Sequence, residues 1–416
     1  MNLSKIIVQK YGGSSVATPE RIKGVAVKVK KKVLEGNKMA VVVSAMGKTT
    51  DALLKLAGEV ASHLTPREID MLLATGEQAA SALLALALND IGVRSVSRNA
   101  FQIGIVTSSN YSNARIVDMN LKRLEEDFKT YDVIVITGFQ GITEDGDLTT
   151  LGRGGSDTSA VAIAAKAGAV CEIFSDVAGI YTADPNMVKG AKKLDAITYD
   201  EMLELAALGA KVLHSRAVEL AKIYDVTLYC GATFSDEKGT FIMKNLPEWL
   251  EHPVVTGVTS ARNQIKFSLV CVNNGDTALS KLFHALAENY VNVDMISTAM
   301  SVKESKEIYI TFSVIDTPIG GNSAKEVTAK TVRECLGVEP EIEEAVKVSA
   351  VGVGMNSASG VAGRYFDALN KCGVEVLGVT TSEIKISVLV RIDQAETALK
   401  ALVEEFDLKN SVKSEV

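Results

Sequence analysis

The chain has 416 residues, 47% of them hydrophobic and 23% charged, with a formal net charge of −7. That is enough chain for two or three domains with a sizeable core, and its mean hydropathy of +0.17 excludes a disordered protein. The acidic balance points away from nucleic acid, since the one basic cluster, Lys28 to Lys32, reads as the solvated face of a helix. Ala79 to Leu88, the longest apolar run, is about half a bilayer span, and the N-terminus enters a strand with no signal-peptide pattern. No membrane partner and a cytoplasmic location are therefore expected. Five cysteines (Cys171, Cys230, Cys271, Cys335, Cys372) without a CxxC read as core thiols, and no metal site is expected of them.

In chain order, Lys5 to Tyr11 reads as a strand with Lys10 at its carboxyl end. Gly12, Gly13, Ser14 and Ser15 follow, then a helix started by Thr18 and Pro19. Ligands gather beyond the carboxyl ends of strands in open α/β sheets, so a lysine before two glycines is placed to meet a phosphate. A second strand, Met39 to Ser44, leads to Gly47-Lys48-Thr49-Thr50 and a helix over Asp51 to Val60. This is not a Walker A loop, because Val42 stands where that motif needs glycine. Thr65 to Asn89 reads as a helix broken at Thr75-Gly76-Glu77. Glu77, a carboxylate in an apolar stretch, calls for a cation, either a structural arginine or the ammonium group of a ligand.

Short strands over Val93 to Thr107, a helix over Leu121 to Phe128 and a buried strand over Val133 to Thr137 lead to the stretch Thr149 to Gly168. There Gly152, Gly154 and Gly155 let the backbone turn its N–H groups to one side, before a buried helix capped by Ser156 or Asp157. Arg153 offers a two-pronged donor for a carboxylate or phosphate, and Asp157 adds a negative group within a turn of it. The next strand, Ala169 to Phe174, ends at Ser175-Asp176 before a polar loop holding Tyr181 and Asp184. Asp176 reads either as a holder of a metal-bound nucleotide or as a turn cap, and Tyr181 either lies against a base or packs. In the helix-like stretch 202–221, Lys211 can reach a phosphate and His214 reads as a helix histidine with its own partners. Strands alternating with helices predict a mostly parallel sheet covered on both faces.

The pattern breaks around Pro247, Trp249 and Pro253, which places a domain boundary there. An internal repeat follows. Ile265 to Val272 matches Val346 to Val353, Phe283 to Leu286 matches Phe366 to Leu369, and Ile308 to Val314 matches Ile384 to Val390. Each copy reads as a ferredoxin-like βαββαβ unit, giving two small sheets whose exposed edges favour pairing between chains.

Lys10-Tyr-Gly-Gly-Ser-Ser, Val43-Ser-Ala-Met-Gly, Ala74-Thr-Gly-Glu-Gln, Gly152-Arg-Gly-Gly-Ser-Asp-Thr-Ser-Ala and Ser175-Asp-Val-Ala-Gly-Ile-Tyr-Thr-Ala-Asp-Pro occur in that order, ahead of the repeat. In these the sequence resembles the aspartate kinases of the amino-acid kinase superfamily. The resemblance implies a three-layer αβα kinase domain over 1–250 and two ACT domains over 262–343 and 344–416. It implies transfer of the γ-phosphate of ATP, with Mg²⁺, to the side-chain carboxylate of L-aspartate, the first step of lysine, threonine and methionine biosynthesis. Lys10 would contact the transferred phosphoryl group, Asp157 would orient that lysine, and Gly12, Gly13 and Ser14 would line the same pocket. Ser44, Thr50, Glu77, Arg153 and Ser156 would hold aspartate, while Ser175, Asp176, Tyr181, Asp184 and Lys211 would line the ATP site. The resemblance further implies regulation by lysine and/or threonine and a homo-oligomer formed through the ACT domains. The loops after the first strand of each repeat, Asn274-Gly-Asp-Thr and Asn356-Ser-Ala-Ser-Gly, lack the proline of the family's Asp-x-Pro-Gly loop.

Overall fold

A computed structural model describes residues 6–208, 212–246, 253–272, 275–300, 307–319, 321–355 and 358–410. Residues 6–180, 193–206 and 212–246 form one compact unit, and 181–192, 207–208 and 253–410 a second. Lys211, Pro247, Trp249, Asn274, Asn356 and Ser357 lie outside the described residues.

The first unit is built on β1 (Ile6–Tyr11), β2 (Lys38–Val43), β3 (Ser95–Arg98), β4 (Val133–Thr137), β5 (Val170–Ser175), β6 (Ala196–Thr198), β7 (Leu228–Ala232) and β8 (Thr240–Met243). They form one sheet in the order β6-β8-β7-β5-β1-β2-β4-β3, parallel throughout except between β7 and β8. Continuous apolar runs suit this arrangement, since a parallel strand is covered on both faces. Its longer helices are α1 (Pro19–Leu34), α2 (Thr49–Val60), α3 (Pro66–Asp90), α4 (Gly155–Ala167) and α5 (Ser215–Tyr224). One face of the sheet packs Tyr11, Met39, Val41, Val43, Val133 and Val135 against Val25 and Val29 of α1 and Leu84 and Leu88 of α3. The alternating residues Val8, Ala40, Val42, Ile134 and Ile136 are buried on the other face, where α4 lies against β1, β2 and β5. A smaller sheet of Ile105–Thr107, Ile116–Met119, Gln140–Ile142 and Leu148–Thr150 packs beside α3.

Three local expectations are corrected. α3 runs unbroken through Gly76, where a Cβ would stand 2.8 Å from that of Ala45; the glycine permits close packing and breaks nothing. α4 is capped by neither Ser156 nor Asp157. It begins after Gly154 in the left-handed region (φ 69°), which has no side chain to cap with, while Ser156 meets Ser44 and Asp157 meets Lys10 from inside the first turn. Lys28 is not a solvated face: its ammonium donates to Ala232 O (2.9 Å) and Thr233 O (3.0 Å) and lies 3.9 Å from the centre of the Phe174 ring. Among the described residues α3 is also the helix long and apolar enough to cross a membrane, yet it buries Asp70 and Glu77 together with Leu73, Leu84 and Leu88.

The second unit is a six-stranded antiparallel sheet of β9 (Gly257–Val272), β10 (Val293–Met300), β11 (Glu307–Ile315), β12 (Glu341–Val351), β13 (Gly378–Ser382) and β14 (Lys385–Val390), ordered β10-β11-β9-β12-β14-β13. Helices α6 (Gly275–Glu288), α7 (Ala324–Leu336), α8 (Val361–Lys371) and α9 (Ala395–Glu405) accompany it. The register changes what the repeat implied. Gln264 to Ser268 pair with Glu341 to Ala345 in the first half, whereas Gly257 to Ala261 pair with Lys347 to Val351 in the second. The fourth strand of the second half therefore precedes the first half in sequence. The two halves share one sheet instead of forming two, and boundaries at 262 and 344 each cut a shared strand. Repeat matching misses this because the borrowed strand lies upstream of both copies. The step between halves falls at a register slip between Ala261 and Gln264, with Asn263 at φ 61°.

Thr259 and Ser349 are direct antiparallel partners, a pair whose Cα atoms stand roughly 4.5–5.5 Å apart. Thr259→Cys combined with Ser349→Cys is expected to close an intrachain disulfide under mild oxidant, mapped by peptide mass spectrometry. A second half completed by a strand of its own would leave both thiols free.

Candidate active site

Lys10 is the penultimate residue of β1, near the middle of the parallel sheet, and its ammonium lies 2.7 Å from Asp157 Oδ1 in the first turn of α4. The two side chains are 12% and 11% exposed, so each charge is held by the other in a poorly hydrated place. The chain then turns at Gly12 and Gly13. A Cβ on Gly13 would stand 2.8 Å from Ala45 O, so no side chain fits there, and Gly13 O accepts the N–H of Gly47 at 3.0 Å. Ser14 gives its carbonyl to the guanidinium of Arg21. Ser15 Oγ lies 2.6 Å from Thr233 Oγ1, and Thr233 donates its N–H (2.8 Å) and hydroxyl (3.0 Å) to Ser175 O. The turn after β1 is thus tied to the carboxyl ends of β5 and β7. Ser175 Oγ accepts the N–H of Val177 at 3.1 Å, and Asp176 is exposed.

At the end of β2, Ser44 Oγ donates to Ser156 Oγ at 2.9 Å, and Ala45 N–H donates to Glu77 Oε1 at 2.9 Å. Glu77 is 3% exposed, and its second oxygen, Oε2, has no partner among the described residues. Burial pushes its pKa up to about 7, against the opposing pull of the Ala45 N–H. Arg153 is exposed between Gly152 (φ 76°) and Gly154 (φ 69°), with no hydrogen bond or ion pair to a described residue. A Cβ on Gly154 would fall 2.3 Å from His214 Cβ, so the imidazole fills the space a side chain would need. His214 differs from expectation: it stands just before α5, and its buried Nδ1 has no partner among the described residues.

Direct contacts therefore join Lys10, Gly12, Gly13, Ser44, Glu77, Ser156 and Asp157 into one cluster, with Arg153 two residues before α4. Thr50 lies half-buried in the first turn of α2. Tyr181 and Asp184 belong to the second unit, where Thr182 O accepts the N–H of Val258 at 2.7 Å and Asp184 Oδ1 that of Asn186 at 2.9 Å. Sequence reasoning missed the supports. Arg216 donates to Leu151 O and Ala114 O, both at 2.7 Å, and nothing in its sequence context signals this. Asp70 is wholly buried and seven residues before Glu77, a spacing that puts both on one face of α3 and that was open to reading.

Comparisons with known proteins show the family. The amino acid kinase family model matches residues 5–231 and an ACT domain model residues 348–406. An aspartokinase of Bacillus sp. (strain MGA3) is 44% identical over 99% of both chains, and one of Mycobacterium bovis is 42% identical over 97% of this chain and 96% of its own. The crystal structure of aspartate kinase from Synechocystis is 38% identical, covering 98% of this chain and 70% of that one with a TM-score of 0.54. E. coli aspartokinase III in complex with aspartate and ADP shares the fold at a TM-score of 0.78 and 23% identity, covering 96% of this chain and 99% of that one. The chain belongs to the amino acid kinase family and, within it, to the aspartokinases.

Proposed function

We propose that the protein is an aspartate kinase that moves the γ-phosphate of MgATP to the side-chain carboxylate of L-aspartate, releasing ADP and 4-phospho-L-aspartate. The observation that carries this reading is the buried, unpartnered Oε2 of Glu77 beside the ends of β1 and β2. A carboxylate held there needs a cation, and the ammonium group of an amino acid supplies one.

Arg153 grips the α-carboxylate in bidentate fashion, with Ser44, Thr50 and Ser156 as polar neighbours, and the β-carboxylate is left to attack. One of its oxygens bonds to the γ-phosphorus as the bond to the β,γ-bridging oxygen breaks, and ADP leaves with that electron pair. No proton has to move. Two anions react, so the work of the protein is to screen their repulsion and hold them in line. Lys10 carries the positive charge to the transferred group, and Asp157 fixes the direction of its ammonium. The turn at Gly12 and Gly13 fits a nucleotide phosphate at its first residue: a Cβ on Gly12 would lie 3.4 Å from the Lys10 ammonium, and its absence leaves that cation open to a phosphate oxygen. Mg²⁺ arrives on the phosphates as part of the substrate and adds positive charge. Ser14, Ser175 and Asp176, all of the first unit, are assigned to the nucleotide.

The same reading takes 1–250 as the catalytic region and the two ACT halves as a module for lysine and/or threonine. Chains pair through the sheet edges β10 and β13, where Ile296 and Val379 are 53% and 40% exposed. A cytoplasmic location goes with it.

Three measurements test the catalytic assignment. Lys10→Ala is expected to leave a folded protein whose ADP release with MgATP and aspartate falls at least about a hundredfold; near-normal turnover would refute the role of Lys10. Arg153→Ala should raise KM for aspartate at least about tenfold and leave KM for ATP within twofold, and an unmoved aspartate KM would remove it from the substrate site. Glu77, with its pKa near 7, is partly protonated in the free protein at neutral pH. An ammonium group beside it favours the ionised form and lowers that pKa, so aspartate binding at pH 7 should release a proton. Calorimetry in buffers of different ionisation enthalpy reads this release, which Glu77→Gln should abolish.

A further inference from the structure

Asp70 lies in the second turn of α3, is 0% exposed, and spends both oxygens on one loop system. Oδ2 accepts the N–H of Ser112 and the N–H of Thr150, each at 2.8 Å. Oδ1 accepts the hydroxyl of Ser112 at 3.1 Å and that of Thr150 at 2.7 Å. Two chain segments about forty residues apart in sequence are thereby pinned to one carboxylate, and four donors are met by one group that donates nothing. The pinned segments are special ones. Ser112 is held at φ 64°, a conformation that costs a non-glycine residue free energy. Thr150 is three residues before Arg153, and a Cβ on the intervening Gly152 would stand 3.1 Å from Ser112 O. Ser112 therefore supplies a wall against which the arginine loop turns.

The same helix carries Glu77 two turns further on, and there Oε1 takes the Ala45 N–H at the end of β2. Seven residues of helix rise about 10 Å, and a helix is stiff over that length. Asp70 and Glu77 thus act as the two pegs of one rigid bar, one fixing the loop that leads to Arg153 and the other meeting the loop that follows β2.

We propose that Asp70 is a positioning residue for aspartate recognition: through Ser112 and Thr150 it sets where the Arg153 guanidinium stands relative to the Glu77 carboxylate. The proposal rests on the aspartate kinase reading and adds to it a residue that touches neither substrate. Two groups on one Cα, an ammonium and a carboxylate, have a fixed separation, so their binding partners must keep a matching one. No charged group of Asp70 itself is needed at the substrate. The nucleotide, held at the ends of β1 and β5, does not depend on this peg.

The test is steady-state kinetics of full-length Asp70→Asn, whose side-chain amide would turn N–H groups toward N–H donors. KM for aspartate should rise at least tenfold, with kcat at saturating aspartate and KM for ATP each within about threefold of wild type. Thr150→Val, which removes only the hydroxyl donor, should raise the aspartate KM by a smaller factor, and Thr150→Ser, which restores it, should return KM to within twofold. If Asp70→Asn does not fold, the Thr150 pair decides alone, through the same split between the two KM values. Equal effects on both substrates, or an aspartate KM that stays put in folded variants, would overturn the positioning role while leaving the kinase reading intact. A wild-type chain that releases no ADP in response to aspartate would overturn both.

Discussion

The Lys10–Asp157 ion pair is the contact on which the arrangement of the first unit depends. Two charges with their side chains roughly nine-tenths buried are tolerated only because each faces the other, and neither strand nor helix can shift without stranding one of them. The pair fixes the end of β1 against the first turn of α4. That turn has no side-chain cap because the helix starts from Gly154 in the left-handed region, and Asp157 and Ser156 inside it meet Lys10 and Ser44. Gly155 N–H is met by Gly152 O at 3.0 Å, and with no side-chain cap the positive end of the helix dipole is left to favour an anion. The cost of an uncapped helix is met by burial of nearly every residue of α4 between β1, β2, β5 and α5.

Glycines do related work around the pair, and each does so for a different reason. Gly13 is small because Ala45 O is in the way, Gly76 because Ala45 Cβ is, and Gly154 because His214 is. Only Gly154 also needs its positive φ. The common result is close approach: the turn after β1 meets the Ala45 peptide, α3 the Ala45 methyl and the loop before α4 the His214 side chain.

The sequence made the strands and the site cluster legible to different depths. Continuous apolar runs ending in polar residues announced β1, β2, β4 and β5, since a parallel strand buried on both faces leaves no other pattern. Lys10, Glu77, Arg153 and Asp157 stood out because charged residues among glycines or apolar residues require an explanation. What stayed hidden were groups whose partners are backbone atoms. Lys28 looked like one lysine of a solvated run, yet two carbonyls and the Phe174 ring claim it. Arg216 and Asp70 serve carbonyls and N–H groups of distant loops, and a backbone atom leaves no mark in sequence. Gly76 misled for the same reason: a missing side chain reads as a helix break when the close neighbour that needs its absence is 31 residues away.

The second unit shows a further limit of the same kind, with a consequence for regulation. Repeats reveal which segments are alike, not which strand completes which sheet. Because β9 and β12 each run through both halves, their pairing makes one sheet of two folds. In separate sheets, a shift at one edge stops at that sheet's last strand. In a shared sheet it is passed along two continuous strands, and a register change in one half cannot occur without a compensating slip at the bulge between Ala261 and Gln264. A displacement in either half therefore acts on a strand that belongs to both.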